Sequence, residues 1–141
     1  HSIMYVTKID NSLTKRDDTK VNSYSEYDKN LKLFQGMFDL WKRDIMKINK
    51  LTKKRKNVFI FGAHIFSQMM IFNGLNKKNI TGVLDNDKQK ADKFLYGTKF
   101  KIDNPSILNK INQPCVVLRA GSYNKEIKKQ LFEINRNVII I

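Results

Sequence analysis

The chain has 141 residues, of which 41% are hydrophobic and 11% aromatic, so it suits one compact domain with an N-terminal extension and not wholesale disorder. No apolar run is long enough to cross a bilayer, and no signal-peptide pattern opens the chain. The net charge of +14, from 27 Lys+Arg against 13 Asp+Glu, could attract phosphates, nucleic acid or anionic lipid. Because the cations look scattered apart from a run at 50–56, we expect neither a nucleic-acid nor a membrane partner.

Residues 3–9 resemble a strand, and a polar, charged connection follows them. A chain that begins in mid-strand suggests a piece of something longer, so we predict that residues 1–23 are a strand and linker from a preceding domain. A long helix is predicted at 24–51, with Ser23 or Ser25 as its cap and Glu26 completing a capping box with Ser23. Its apolar stripe packs either on its own domain or on a partner or dimer mate. The stripe comprises Tyr27, Leu31, Phe34, Phe38, Trp41, Ile45 and Ile48.

From residue 57 onward, apolar strands alternate with helices. Strands are predicted at 58–61, 80–85, 98–102, 115–120 and 137–141, and helices at 63–73 and 123–134, with Gly74 closing the first of these. Residues 86–97 form a loop or short helix, and Asn104 caps a short helix that starts at Pro105. The alternation predicts an α/β fold at 24–141: a Rossmann-like, mostly parallel sheet with flanking helices, preceded by the long helix.

Ligands of an open parallel sheet bind beyond the carboxyl ends of its strands. Three turns are expected to meet there: 62–64, 85–87 and 120–123. They supply the candidate substrate-binding residues Gly62, His64, Asp85, Ser122 and Tyr123. The free N–H groups at the following helix start could receive one phosphate, with His64 as a further donor.

The first turn departs from a dinucleotide fingerprint, which asks for glycine at its first, third and sixth positions. The chain has Gly62, His64 and Ser67 there. An imidazole at the third position obstructs the approach of a pyrophosphate to the backbone, and we expect the serine to loosen the helix–strand contact. Asp85 lies 23 residues after Gly62, near the place of a ribose-binding acid, so binding of NAD remains an alternative.

The residue pattern gives little support for acid–base catalysis, metal binding or a serine nucleophile. His64 could serve as a general acid or base, but it has no partner nearby in the sequence. Two histidines and one cysteine show no metal-ligand spacing, and a G-x-S-x-G elbow is missing, so we expect no metal and no catalytic residue. Cys115 excludes an internal disulfide and, lying in the apolar run "CVVL", is predicted to be buried and inert, which fits a reducing cytoplasm.

Three segments resemble the C-terminal domain of SAM-dependent sugar C-methyltransferases. They are "VFIFGAHIFSQMMIFNGL", "ITGVLDNDKQKADKFLYGT" and "VVLRAGSYNKEI", and the resemblance covers about residues 25–141. The opening "HSIMYV" is similar to the last strand of the methyltransferase domain that precedes it in such enzymes. The family's usual small residues after the first glycine are replaced here by "AHIFS".

This resemblance implies a division of labour. In the family, a zinc-binding segment and a central SAM-binding domain carry cofactor and chemistry, including a general-base His in a Glu-His pair, which this sequence lacks. The C-terminal domain helps to enclose the nucleotide-sugar. The resemblance therefore implies a bacterial cytoplasmic protein for surface polysaccharide or a similar product, with no cofactor in this chain. Its partners would be a nucleotide-sugar and the upstream domain.

Two other hypotheses remain open at this point. The first is a stand-alone NAD- or nucleotide-binding module, motivated by Gly62 and Asp85. The second is a structural interaction domain whose helix, through Phe34, Phe38 and Trp41, docks on a partner or forms a homodimer.

Overall fold

The computed structural model describes residues 24–141, with side chains from residue 27 onward. The predicted strand at 3–9, the linker to residue 23 and the capping box of Ser23 and Glu26 lie outside the described residues. The chain divides into two compact units, His1–Gly36 and Met37–Ile141. Among the described residues, no helix is both long and apolar enough to span a membrane.

The long helix α1 runs from Tyr24 to Thr52, one residue beyond the predicted end. In the first unit, its residues Tyr27, Leu31 and Phe34 are exposed to solvent. In the second unit, Ile45 and Ile48 are buried in the core. In the second unit, the predicted stripe is therefore buried at Ile45 and Ile48.

Within the described residues, the sheet has five strands, all parallel, in the order β3-β2-β1-β4-β5. The strands are β1 (Val58–Phe61), β2 (Gly82–Leu84), β3 (Ile102–Asp103), β4 (Cys115–Leu118) and β5 (Ile139–Ile140). The same part of the chain also contains helices α2 (Ile65–Phe72) and α3 (Asn124–Ile134) and three short 3-10 helices, Lys77–Asn79, Pro105–Lys110 and Gly121–Tyr123. The predicted α/β fold with a Rossmann-like parallel sheet is confirmed.

Each face of the sheet contributes to its own hydrophobic core. Val58 and Ile60 pack with the buried residues of α1 and α2, whereas Phe59 and Phe61 pack with those of α3 and the 3-10 helix at Pro105–Lys110. Successive strand residues point to opposite faces. A strand covered on both faces must therefore be apolar throughout, as "VFIF" is.

The regions between β2 and β4 differ most from the sequence prediction. The predicted strand at 98–102 is regular only at Ile102–Asp103, because Phe94 and Lys101 form an isolated antiparallel bridge before it. Residues 86–97 form turns. The predicted cap is confirmed, since the Asn104 side chain accepts a hydrogen bond of 3.0 Å from the amide of Ser106.

Candidate functional site

A cleft lies at the carboxyl edge of the sheet, where the turns after β1, β2 and β4 meet. The strand order places β2 and β4 on either side of β1, and this is the switch point at which parallel sheets bind ligands. The cleft has a volume of about 370 Å³. Its walls are formed by Phe61, Gly62, His64, Ile65, Phe66, Asp85, Asn86, Lys90, Ala120, Tyr123 and Ile127. The three turns predicted to meet here do so.

Gly62 makes the first of these turns. Its φ of +100° lies in a region that side chains rarely adopt, and its amide donates to the carbonyl of Leu84 at 2.7 Å. The buried Ser67 hydroxyl donates to the carbonyl of Gly62. The expectation that serine loosens this contact was wrong, because its hydroxyl ties the first turn of α2 to the turn before it.

His64 folds its imidazole back over Gly62. A Cβ added at Gly62 would overlap that ring, so the ring fills the space through which a pyrophosphate would approach the backbone. Its Nδ1 atom is buried and accepts no hydrogen bond from the described residues. Burial lowers the pKa of His64, although the nearby Asp85 carboxylate opposes this. The lowered pKa favours the neutral imidazole. The rings of His64 and Phe66 are nearly perpendicular, with 5.6 Å between their centroids.

Asp85 is engaged by its own surroundings. Its Oδ2 accepts from the amide of Ala63 at 2.7 Å and from Lys90 Nζ at 3.1 Å, while its Oδ1 accepts from the amide of Asp87 at 2.9 Å. Burial raises the pKa of the Asp85 carboxyl, but these two amides and Lys90 lower it further than burial raises it. Asp85 thus locks the first two turns together, and a ribose would have to compete with three donors.

The donors that remain accessible come from other side chains. Lys90, which the sequence analysis missed, has a side chain that is 39% exposed and reaches the cleft from the turn after β2. Tyr123 is exposed at the opposite wall. Ser122 is exposed and does not line the cleft. The structure therefore brings Gly62, His64, Asp85 and Tyr123 together and leaves Ser122 outside the group.

A second cleft of about 500 Å³ adjoins the first and shares Phe66 with it. Trp41 of α1 lies against Phe66, with ring centroids 5.8 Å apart. The polar residues of its wall are already paired. Arg119 donates to Asp44 through Nε at 2.7 Å and Nη2 at 2.8 Å, and through Nη1 to the carbonyls of Leu118 and Ile141. This cleft can therefore offer a ligand mainly apolar and aromatic surface.

The Asp44–Arg119 pair fixes the wall of this second cleft. The hydrogen bond from Arg119, with its positive charge, lowers the pKa of the Asp44 carboxyl. A two-pronged guanidinium–carboxylate contact is geometrically specific as well as charge-assisted. It therefore joins α1 to the residue that follows β4.

Within the part of the chain that the structure describes, no group of three or more His, Cys, Asp or Glu side chains could hold a metal ion. Cys115 is fully buried in β4, and burial raises the pKa of its thiol, so the described cysteine is protected from reaction. The cleft presents the ammonium group of Lys90, the phenol of Tyr123 and the aromatic ring of Phe66.

Comparison with known proteins agrees with this architecture. No curated protein and no solved structure matches the chain significantly. The family profile of the C-methyltransferase C-terminal domain matches residues 4–139, which is nearly the whole chain. The chain therefore belongs to the C-methyltransferase C-terminal domain family.

Proposed function

We propose that this domain encloses the nucleotide-linked sugar of a bacterial, cytoplasmic SAM-dependent methyltransferase and leaves the methyl transfer itself to another domain. The observation that carries the proposal is the cleft at the carboxyl edge. Its acid is occupied by protein donors, while Lys90 and Tyr123 remain accessible beside an aromatic wall. Such a surface suits a ligand with an anionic centre, hydroxyl groups and a flat ring.

The anionic centre would bind at Lys90. An ammonium group has three donors, and Asp85 takes one of them here. The remaining two are available to a ligand, and an opposite charge about 4 Å from the ammonium is attracted by roughly 4 kcal/mol before the repulsion from Asp85 and the desolvation costs are subtracted. A sugar-linked diphosphate carries the charge that would use this attraction.

The flat ring would bind in the second cleft, against the Trp41–Phe66 pair. These two rings pack on each other with centroids 5.8 Å apart, so they would offer a joint aromatic surface, against which a further ring can stack or stand edge-to-face. Sugar hydroxyls would then reach Tyr123 and the neutral imidazole of His64. Both clefts together would accommodate the two ends of a nucleotide-sugar.

Methyl transfer needs a bound methyl donor and a group that removes a proton from the accepting carbon. The cleft contains one histidine among the described residues, His64. Its ring packs over Gly62 and its pKa is lowered, so it is poorly placed to serve as that group. The described residues also offer no metal-binding group. We propose that SAM, zinc and the general base belong to other domains.

The proposal is tested by thermal unfolding of the 141-residue chain with a panel of ligands: dTDP, CDP, GDP, NAD and SAM. A ligand at 100 times its Kd stabilises the folded state by about 2.7 kcal/mol, which is measurable as a higher Tm. We expect stabilisation by a nucleoside diphosphate and none by NAD or SAM.

The matched variants are Lys90→Ala and Lys88→Ala, which change two lysines of the same turn. The first should cut the ligand-induced rise in Tm by about half or more, whereas the second should leave it unchanged. Stabilisation by NAD, or an equal effect of both substitutions, would contradict the proposal.

A further inference from the structure

The amino edge of the sheet is uniformly basic. Since all five strands are parallel, the five segments that lead into them meet at this one edge. These segments are 53–57, 76–81, 96–101, 110–114 and 135–138; each contains at least one Lys or Arg, and none contains Asp or Glu. The cations, all of them exposed, are Lys53, Lys54, Arg55, Lys56, Lys77, Lys78, Lys99, Lys101, Lys110 and Arg136.

Few acids neutralise this edge. Lys101 pairs with Asp92 at 2.8 Å and with Asp103 at 3.7 Å. The other ion pairs of the described residues involve no cation of the amino edge. Five strands about 4.8 Å apart span roughly 19 Å, so the edge presents a row of like charges too long for a single small anion to cover.

This edge faces away from the candidate substrate cleft. The longest strands have four residues and thus separate the two edges by about 13 Å, more than the Debye length of about 8 Å at physiological salt. Most of the basic edge therefore contributes little to attracting a ligand into the cleft. The charge would act instead on a second, anionic partner that contacts this edge directly.

Exposed aromatic side chains accompany the cations. Phe72 ends α2 with 90% of its surface exposed, and Tyr96, at the turn before Lys99, is 86% exposed. Because α2 starts at the carboxyl edge and crosses back, its last residue comes immediately before the segment that carries Lys77 and Lys78. Lysines next to protruding aromatic rings are typical of protein surfaces that rest on the interface of an anionic bilayer.

We propose that the amino edge of this domain binds the surface of an anionic lipid bilayer. A nucleic acid is the competing polyanion, but the composition of the edge favours the bilayer. Lysine, a point charge without the planar fork that recognises phosphates and bases, supplies eight of the ten cations. The proposal departs from our sequence-based expectation of no membrane partner and does not depend on the proposed function.

The test is sedimentation of the 141-residue chain with vesicles of phosphatidylcholine, with and without 30 mol% phosphatidylserine (a composition of roughly physiological charge). We expect binding only to the anionic vesicles and its loss at high salt. Each lysine near such a surface contributes about 1 kcal/mol, or about fivefold in affinity. Lys77→Gln with Lys78→Gln should therefore weaken binding about 25-fold.

Two controls make the result specific. Lys128→Gln with Lys129→Gln removes the same charge from α3, away from the amino edge, and should change vesicle binding less than about threefold. Phe72→Ser removes a protruding ring and should weaken binding further in the Lys77/Lys78 variant. No binding to anionic vesicles, equal losses in both lysine pairs, or tight binding to a single-stranded oligonucleotide without vesicle binding would overturn the proposal.

Discussion

Replacing Asp44 by asparagine would weaken the attachment of α1 to the end of β4. The carboxylate now accepts two charge-assisted hydrogen bonds from Arg119, at 2.7 and 2.8 Å. Removing a partner from a buried pair costs about 3–5 kcal/mol, whereas an exposed pair contributes about 0–1 kcal/mol. The side chains of Arg119 and Asp44 are 33% and 40% exposed, so solvent screening brings the expected loss down to about 1–1.5 kcal/mol.

Arg119→Met should cost more than Asp44→Asn, because it also removes the donors to the carbonyls of Leu118 and Ile141 at 2.8 and 2.9 Å. We expect a loss of about 2–3 kcal/mol. The assay is urea unfolding followed by far-UV circular dichroism, and the double variant should reveal a coupling of about 1 kcal/mol. The control is Glu133→Gln, which breaks the exposed pair with Lys129 and should leave stability unchanged. A coupling free energy of zero, or an equal loss of stability in the control, would show that the Asp44–Arg119 pair does not stabilise the domain.

Three further predictions concern the turn after β1. Ser67→Ala should lower the free energy of unfolding by about 1–2 kcal/mol in urea, since the buried carbonyl of Gly62 loses its donor; an unchanged midpoint would contradict this. Gly62→Ala should destabilise through its φ of +100° and its overlap with the imidazole, by about 2 kcal/mol or more, and His64→Ala should restore part of that loss. The pKa of His64 is lower in the folded state than its usual 6.5, so as the pH falls the unfolded state takes up this proton at a higher pH than the folded state does. The free energy of unfolding should therefore be highest above pH 6.5 and should decrease as the pH falls through the folded-state pKa. His64→Asn should make this decrease smaller, and identical pH profiles for the two proteins would show that His64 does not cause it.

Much of the fold follows from local patterns in the sequence. The run "VFIF" gave β1 because a strand covered on both faces is apolar throughout, and Asn104 before Pro105 marked a helix start through the chemistry of its side chain. The third predicted strand failed because "TKFKI" lacks such a run. Only its last residue pairs with β2, while Lys101 bridges Phe94 instead.

The site was harder to predict, because it depends on side-chain directions. The spacing from Gly62 located Asp85, but only the coordinates show that the carboxylate turns toward the amide of Ala63 and toward Lys90. No periodicity marks Lys90 as its partner. In the same way, the rotamer of His64 decides whether the ring lies over the turn or points to a ligand, and no sequence motif fixes that rotamer.

The distribution of charge shows a different reason for a missed feature. Along the chain, the cations outside 50–56 look scattered, as the high lysine content of the whole sequence would produce without any binding surface. Parallel strand direction collects the segments before each strand at one edge. A signal was available, since the segments that directly precede β1, β2, β4 and β5 each carry Lys or Arg and no acid. Reading it required the topology and not only the residues.

Isothermal titration of the 141-residue chain with dTDP, CDP, GDP and NAD, repeated with Lys90→Ala, would show which class of ligand the carboxyl-edge cleft binds. Because we propose that the cleft receives a nucleoside diphosphate, we predict saturable binding of at least one of these three, weakened at least tenfold by Lys90→Ala, and no heat of binding with NAD. Saturable binding of NAD that persists in the Lys90→Ala variant would mean that the cleft takes a dinucleotide instead.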